Sequence, residues 1–454
     1  MAVLGSSLVA ISGLGAVVAA AQESPSWPSF QGGPAHLGSA SGLEPGFRSE
    51  WRVAPPGDAR LSVPAIGPGL AVSVGAGRVV GFDPTRGAVL WTVVRARGPI
   101  VPPALDLSAG EHGVVLYVEG GDRKTSALVA IDGSTHARLW RVALGGLSRS
   151  APAVFGGRVF LGARDNAVYA VEVETGRVVW KAKAKGRVDP GVAVARGLVF
   201  AVSENPSSGR AAVDAFRSDS GKLAWSFSPA RLPAGVTSPS VAGGAVFVGF
   251  GDGTVRAVDA ATGAERWHEP VRADFSPLSS PAYAAGRVYV VDRNGGLYAF
   301  DAATGTRAWD YQFDGTGDWS APLVSGGFVL VALDDGTLAA VDAGSGHLRW
   351  QATFGLGPLG PLAAAGNLLL MPSIGTRGGV TGLGRDPAAR LVDEGSPTEL
   401  KFGLALLNYL AGTAATLIVL IAGFRLLARR RGVSVDVPPP GWSPRGDISG
   451  NGAG

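Results

Sequence analysis

The chain has 454 residues, no cysteine, 17% charged residues and a formal net charge of +4, with 69 Gly and 31 Pro. The lack of cysteine excludes disulfides, a thiol nucleophile, Cys-ligated metals, c-type haem and a lipid anchor on an N-terminal cysteine. Five Arg against two Asp from Arg425 onward leave the rest of the chain at about +1, without the basic footprint of a nucleic-acid binder.

In chain order, residues 2–21 form an uncharged run of small and apolar residues that leads into VVAAAQES. This reads as a secretory signal cleaved after Ala21, with an uncleaved anchor as the alternative because the run has no Lys or Arg before it. Residues 22–46 are a lead-in, and FRSEWRV (47–53) reads as a strand with no hairpin partner of its own.

A repeat then takes over. AVDAATGAERW (257–267), AFDAATGTRAW (299–309) and AVDAGSGHLRW (340–350) are its clearest copies, and looser copies end at Trp91, Trp140, Trp180 and Trp225. The spacing predicts a strand ending at an Asp that starts a turn, a Gly supplying positive φ, and a second strand carrying Trp. Two copies are degenerate, with His136 in place of Gly and Arg217 in place of Asp, and both turns are expected to be looser. A second hairpin lies upstream of each motif, and before it a short segment marked by Pro64, Pro103, Pro152, Pro190, Pro239, Pro281, Pro322 or Pro361. Proline at the first residue of a strand removes no ladder bond. Each unit is therefore four antiparallel strands, a propeller blade with a period of about 40–49 residues.

Eight proline segments but seven complete motifs imply an eighth blade that lacks its Trp strand. FRSEWRV, with Trp51, supplies that strand from the other end of the chain and closes the ring; the alternative is seven blades with a remnant. The expected fold is all-β: an eight-bladed propeller of four-stranded blades over 47–386, closed by the N-terminal strand. A stalk (387–401) follows. Residues Phe402–Phe424 carry no charge over 23 positions, which as a helix is roughly 34 Å, long enough to span a bilayer. Arg425, Arg429, Arg430 and Arg431 come next. They place the C-terminus in the cytoplasm, the propeller on the periplasmic or extracellular side, and the tail (425–454) as a disordered cytoplasmic end.

The Asp-x-x-x-Gly-x-x-x-Trp motif resembles the tryptophan motif of the PQQ-like β-propeller repeat superfamily, and WPSFQGGPAHLGSA (27–40) is similar to the stretch that often opens such domains. The resemblance implies three kinds of activity. One is a quinoprotein dehydrogenase holding PQQ and Ca²⁺ on the propeller axis; no Asp base, calcium ligands or vicinal disulfide can be placed here. The second is a non-enzymatic scaffold like the propeller subunit of the outer-membrane β-barrel assembly machinery. The third is an extracellular sensor on a single membrane helix. The expectation is a membrane-anchored scaffold for envelope proteins or an envelope polymer, with no catalytic residues, metal or cofactor.

The resemblance assigns Trp51, Trp91, Trp140, Trp180, Trp225, Trp267, Trp309 and Trp350 to packing between blades, and the repeated Asp residues read as turn caps. The five His show no metal-type spacing and are expected in solvated loops. Residues the repeat does not explain are better candidates. Arg149 and the Arg187–Asp189 pair hold matching places in blades 3 and 4, and Asp314, Asp318 and Trp319 precede the blade 7 inner strand. Together they are expected to form a polar rim at one mouth of the channel. Insertions at 106–125 and 203–212 are alternative contact loops.

Overall fold

The computed structural model describes residues 26–55, 60–108, 112–121, 124–229, 235–271, 278–314, 320–374 and 378–391. The expected signal, membrane helix and tail lie outside these residues, as does most of the stalk. Among the described residues no helix is long and apolar enough to cross a membrane.

The strands form eight four-stranded antiparallel sheets. Blade 5 is typical: Ser240–Ala242 innermost, then Ala245–Gly249, Thr254–Asp259 and, outermost, Glu265–Pro270. Blade 8 combines Ala363–Ala365, Leu368–Ser373 and Gly379–Arg385 with Phe47–Val53 from the N-terminal side. Phe47 stands opposite Arg385 and Val53 opposite Val380. FRSEWRV therefore completes the last blade, and no edge is left open between the first and last units.

The second and third strands of a blade are packed on both faces, so they are runs of Val, Ala, Leu and Phe with almost no exposure. The outer strand is different. The register slips by one residue beside each Trp: Trp267 faces Ala257, but Glu265 faces Val258. This bulge leaves Glu265 and Arg266 outward while Trp267 turns in at 7% exposure. Its ring lies against the turn of the next blade, where a Cβ on Gly305 would come within 2.7 Å of the indole. The indole N–H then donates to the Ala302 carbonyl at 3.0 Å. The same bond joins Trp140 to Val173, Trp180 to Ser218, Trp225 to Ala260 and Trp309 to Ala343. Trp51 lies on Gly87 of blade 1 and so continues the series across the seam.

The Asp turns cap themselves. Asp259 Oδ1 accepts from the Ala261 and Thr262 amides at 3.1 and 2.9 Å and from Thr262 Oγ1 at 2.9 Å. Arg266 first, and Thr262 next, hold that carboxyl well below the usual carboxylate range. The two degenerate turns are not looser. His136 adopts φ 61° and stacks on Trp91 with ring centroids 4.8 Å apart, filling the place of the missing Gly contact. Its amide bonds the Asp132 carbonyl at 2.9 Å, and Gly221 bonds Arg217 at 2.8 Å, as in the intact copies. The i→i+4 backbone bond, rather than the side chain, sets the turn.

The lead-in runs through the channel. Trp27 and Ile66 exchange backbone bonds of 2.8 Å in blade 1. The Pro28, Pro34, Ala35, Leu37 and Gly38 carbonyls then accept from Leu105, Val194, Val241, Tyr283 and Val324, the middle residues of the inner strands of blades 2, 4, 5, 6 and 7. A short 3-10 turn, Phe30–Gly32, carries Gln31 across to blade 6, where its Nε2 donates to the Pro281 carbonyl at 3.0 Å. His36 is fully buried, with Nδ1 at 3.2 Å from the Pro239 carbonyl of blade 5.

Candidate functional site

The chain enters every blade from the same end of the ring, and the proline segments form that mouth. Counted back from each Pro, the third residue is Leu61, Ile100, Arg149, Arg187, Val236, Leu278, Trp319 and Pro358 in turn. The residue just before each Pro is Asp189, Ser238 and Ser280 in blades 4, 5 and 6, but Val63, Pro102, Ala151, Ala321 and Gly360 elsewhere. Polarity is thus gathered on the arc of blades 3–6.

A cleft of about 560 Å³ opens on that arc. Arg149, Arg187, Asp189, Arg164, Glu204 and Ser238 give it its chemistry. Arg164 Nε donates to both Asp189 oxygens, at 2.8 and 2.9 Å. The Arg187 backbone is fixed by reciprocal bonds to Glu204 of 2.8 and 3.0 Å, and the Glu204 carboxylate accepts the Gly235 amide at 3.0 Å. Both acids are therefore engaged. The guanidiniums of Arg149 and Arg187 are exposed and have no hydrogen-bond or ion-pair partner among the described residues. Ser238 Oγ accepts the Gly191 amide at 2.9 Å, and a Cβ on Gly191 would lie 3.0 Å from the His36 ring. The lead-in therefore lies directly against the cleft wall. Burial pushes the His36 imidazole down to about 4, against the raising effect of the Pro239 bond. Behind the cleft in blade 4, burial pushes the Asp214 carboxyl up although Ser226 and the Lys185 amide bond it.

Three of the expected rim residues, Arg149, Arg187 and Asp189, are brought together. Asp314 is exposed outside the cleft, near Tyr311, whose phenol is raised by burial first and by that carboxylate second. Asp318 and Trp319 lie outside the described residues. The two insertions are not loops. Residues 106–125 hold the strand Val114–Gly120, and 203–212 extend the hairpin of Leu198–Asn205 with Arg210–Arg217, which carries Glu204 to the cleft. His36 is a further correction: it is a core residue, not a solvated one. Arg164, Glu204 and Ser238 were missed, although aligning the chain on the repeat prolines exposes Ser238.

A family model described as outer membrane protein assembly factor BamB matches residues 75–211, 124–279, 209–360 and 277–383. The outer membrane protein assembly factor BamB of Nitrosomonas eutropha is 29% identical over 191 residues, 40% of this chain and 42% of that protein. The match thus spans less than half of that relative's length. The crystal structure of BamB from Moraxella catarrhalis superposes with a TM-score of 0.58 at 18% identity, covering 74% of this chain and 99% of that one. A europium-containing methanol dehydrogenase gives a TM-score of 0.66 at 13% identity, over 80% and 98% of the two chains. At such identities both structures speak to the fold alone.

Proposed function

This chain belongs to the family of PQQ-like propeller repeats described as outer membrane protein assembly factor BamB, and we propose that it is a binding scaffold in envelope-protein assembly. In this reading residues 1–21 direct export, 402–424 form a single membrane helix, and the propeller works on the outer side of the cytoplasmic membrane with an envelope protein docked on it. The observation that carries the proposal is the cleft on the blade 3–6 arc. Arg149 and Arg187 stand there without a partner among the described residues, while the neighbouring acids are already bonded. Such guanidiniums suit carboxylates on a partner surface.

The reading carries no cofactor on the axis. What supports this is that the lead-in itself occupies part of the channel, with Gln31 reaching blade 6 and His36 buried beside Gly191.

The test is in-cell crosslinking and affinity purification from the native host, comparing wild type with the Arg149→Glu, Arg187→Glu double variant. A stoichiometric envelope protein that is lost in the variant, with thermal unfolding unchanged, supports the scaffold. A partner retained at full yield by the variant would remove the cleft from the account.

A further inference from the structure

The inner strands of the eight blades present the same element to the channel, a middle residue whose backbone N–H and C=O point away from its own sheet. In blade 3 this residue is Val154, and its register shows why. Phe155 pairs with Arg158 across a Gly156-Gly157 turn, and Val154 faces Val159 in the next, non-hydrogen-bonded pair. Its N–H and C=O therefore point into the channel. The lead-in accepts from the equivalent N–H in blades 1, 2, 4, 5, 6 and 7, and in blades 1 and 7 it also donates to the C=O. It leaves the inner rim between Pro28 and Pro34 to make its 3-10 turn, and among the described residues it bonds neither Val154 nor Ala364 of blade 8.

The skipped blade 3 position is open. A groove of about 370 Å³ lies there, at the end of the channel opposite the arginine cleft. Pro28 and Pro34 of the lead-in form one side, Leu105 and Leu107 another, and Val154 and Phe155 the third. Phe155 is 45% exposed, whereas Leu105 and Val194, in the inner strands of the neighbouring blades, are 2% and 1% exposed. The one carboxylate in the lining, Asp106, is occupied by the Ser108 amide and hydroxyl at 3.0 and 2.6 Å. The groove thus offers largely apolar walls and, among the described residues, one strand position that the lead-in leaves unbonded.

We propose that this groove binds an extended, uncharged, proline-containing segment of a partner polypeptide, which pairs with Val154 as the lead-in pairs with the other blades. The lead-in supplies the template for the occupant. Trp27 pairs antiparallel with Ile66, Ser39 lies parallel to Val324, and the carbonyls of Pro28 and Pro34 are themselves acceptors. Proline suits the role because its carbonyl can accept while its missing N–H leaves nothing unbonded in an apolar groove. Adding a strand to an exposed edge in this way gives affinity through the backbone and selectivity through the flanking pockets. This site is on the opposite end of the ring from the cleft and does not depend on it.

The experiment uses the full chain in detergent and a fluorescein-labelled peptide copying residues 25–30, Pro-Ser-Trp-Pro-Ser-Phe, read by anisotropy. Val154→Pro removes the inward N–H and no ladder bond, while exchanging a partly buried valine side chain for the proline ring. It should weaken saturable binding by about tenfold, the effect of one buried hydrogen bond. Phe155→Glu, a change at an exposed side chain, should do the same without altering thermal unfolding, and Ala364→Pro should leave binding intact. If Val154→Pro perturbs folding, Phe155→Glu decides alone. No saturable binding, binding indifferent to Phe155→Glu, or loss only with Ala364→Pro would overturn the proposal.

Discussion

Two contacts on opposite sides of an inner strand hold neighbouring blades in this ring. At the periphery, Trp267 of blade 5 fills the turn of blade 6 with an apolar ring and one indole bond. In the channel, the lead-in crosses the same two blades with backbone bonds to Val241 and Tyr283 and with the buried side chains of Gln31 and His36. The peripheral contact recurs around the ring and joins nearest neighbours, and at Trp267 it is made by an apolar ring and an indole bond to a backbone carbonyl, with no titrating group in either. The lead-in contact occurs once, ties six blades together, and buries four side-chain polar atoms, Trp27 Nε1, Ser29 Oγ, Gln31 Oε1 and His36 Nε2, without a hydrogen-bond partner among the described residues. The Trp267 contact should therefore respond to packing changes alone, and the lead-in to pH.

Removing the peripheral ring is the harshest way to break this comparison. Trp267→Ala deletes a side chain that is 7% exposed and strands the Ala302 carbonyl. A loss of about 3–5 kcal/mol is expected, independent of pH. Thermal unfolding at pH 7 and pH 5 should show the same drop at both. A loss that changed with pH would put a titrating group in the interface and spoil the contrast.

The lead-in should behave in the other way. The folded His36 pKa of about 4 lies below the ordinary 6.5, so between those values the unfolded chain binds a proton that the folded chain refuses. Stability from the neutral ring is complete above pH 6.5 and falls as pH drops toward 4, by about 3 kcal/mol in all. His36→Gln keeps a donor for the Pro239 carbonyl and does not titrate. The melting temperature of wild type should fall relative to that variant across this window, and parallel curves would show that His36 is not what the acid acts on.

The same contrast explains what could be read from the residues. The blades were legible because each solves one packing problem with one residue pattern, and seven copies average out local noise. Even the strand exchange was legible, since FRSEWRV carries the Trp that the last unit lacks. The lead-in was not, because a segment that bonds through its backbone leaves no periodic side-chain mark. His36 resembles any other histidine in a Gly-rich stretch. At the cleft, Arg149 and Arg187 stood out against the apolar residues at the same repeat position. Glu204 and Arg164 reach it from the tips of neighbouring hairpins; the blade 3 hairpin was expected, but 203–212 was read as a contact loop rather than as strand.

The smallest of these effects tests how far the peripheral contact depends on its turn. Gly305 has φ 79°, and a Cβ there would meet the Trp267 ring at 2.7 Å. Gly305→Ala thus brings a left-handed backbone cost of about 1–2 kcal/mol together with a displaced indole. His136 shows that the fold accepts a side chain at this place when its ring can stack on the tryptophan, as it does on Trp91. Gly305→His should therefore cost less than Gly305→Ala, although histidine is much the larger. Chemical denaturation of the two variants would rank them. If alanine proved the milder change, the stacking of His136 would be incidental, and backbone geometry alone would govern the turn.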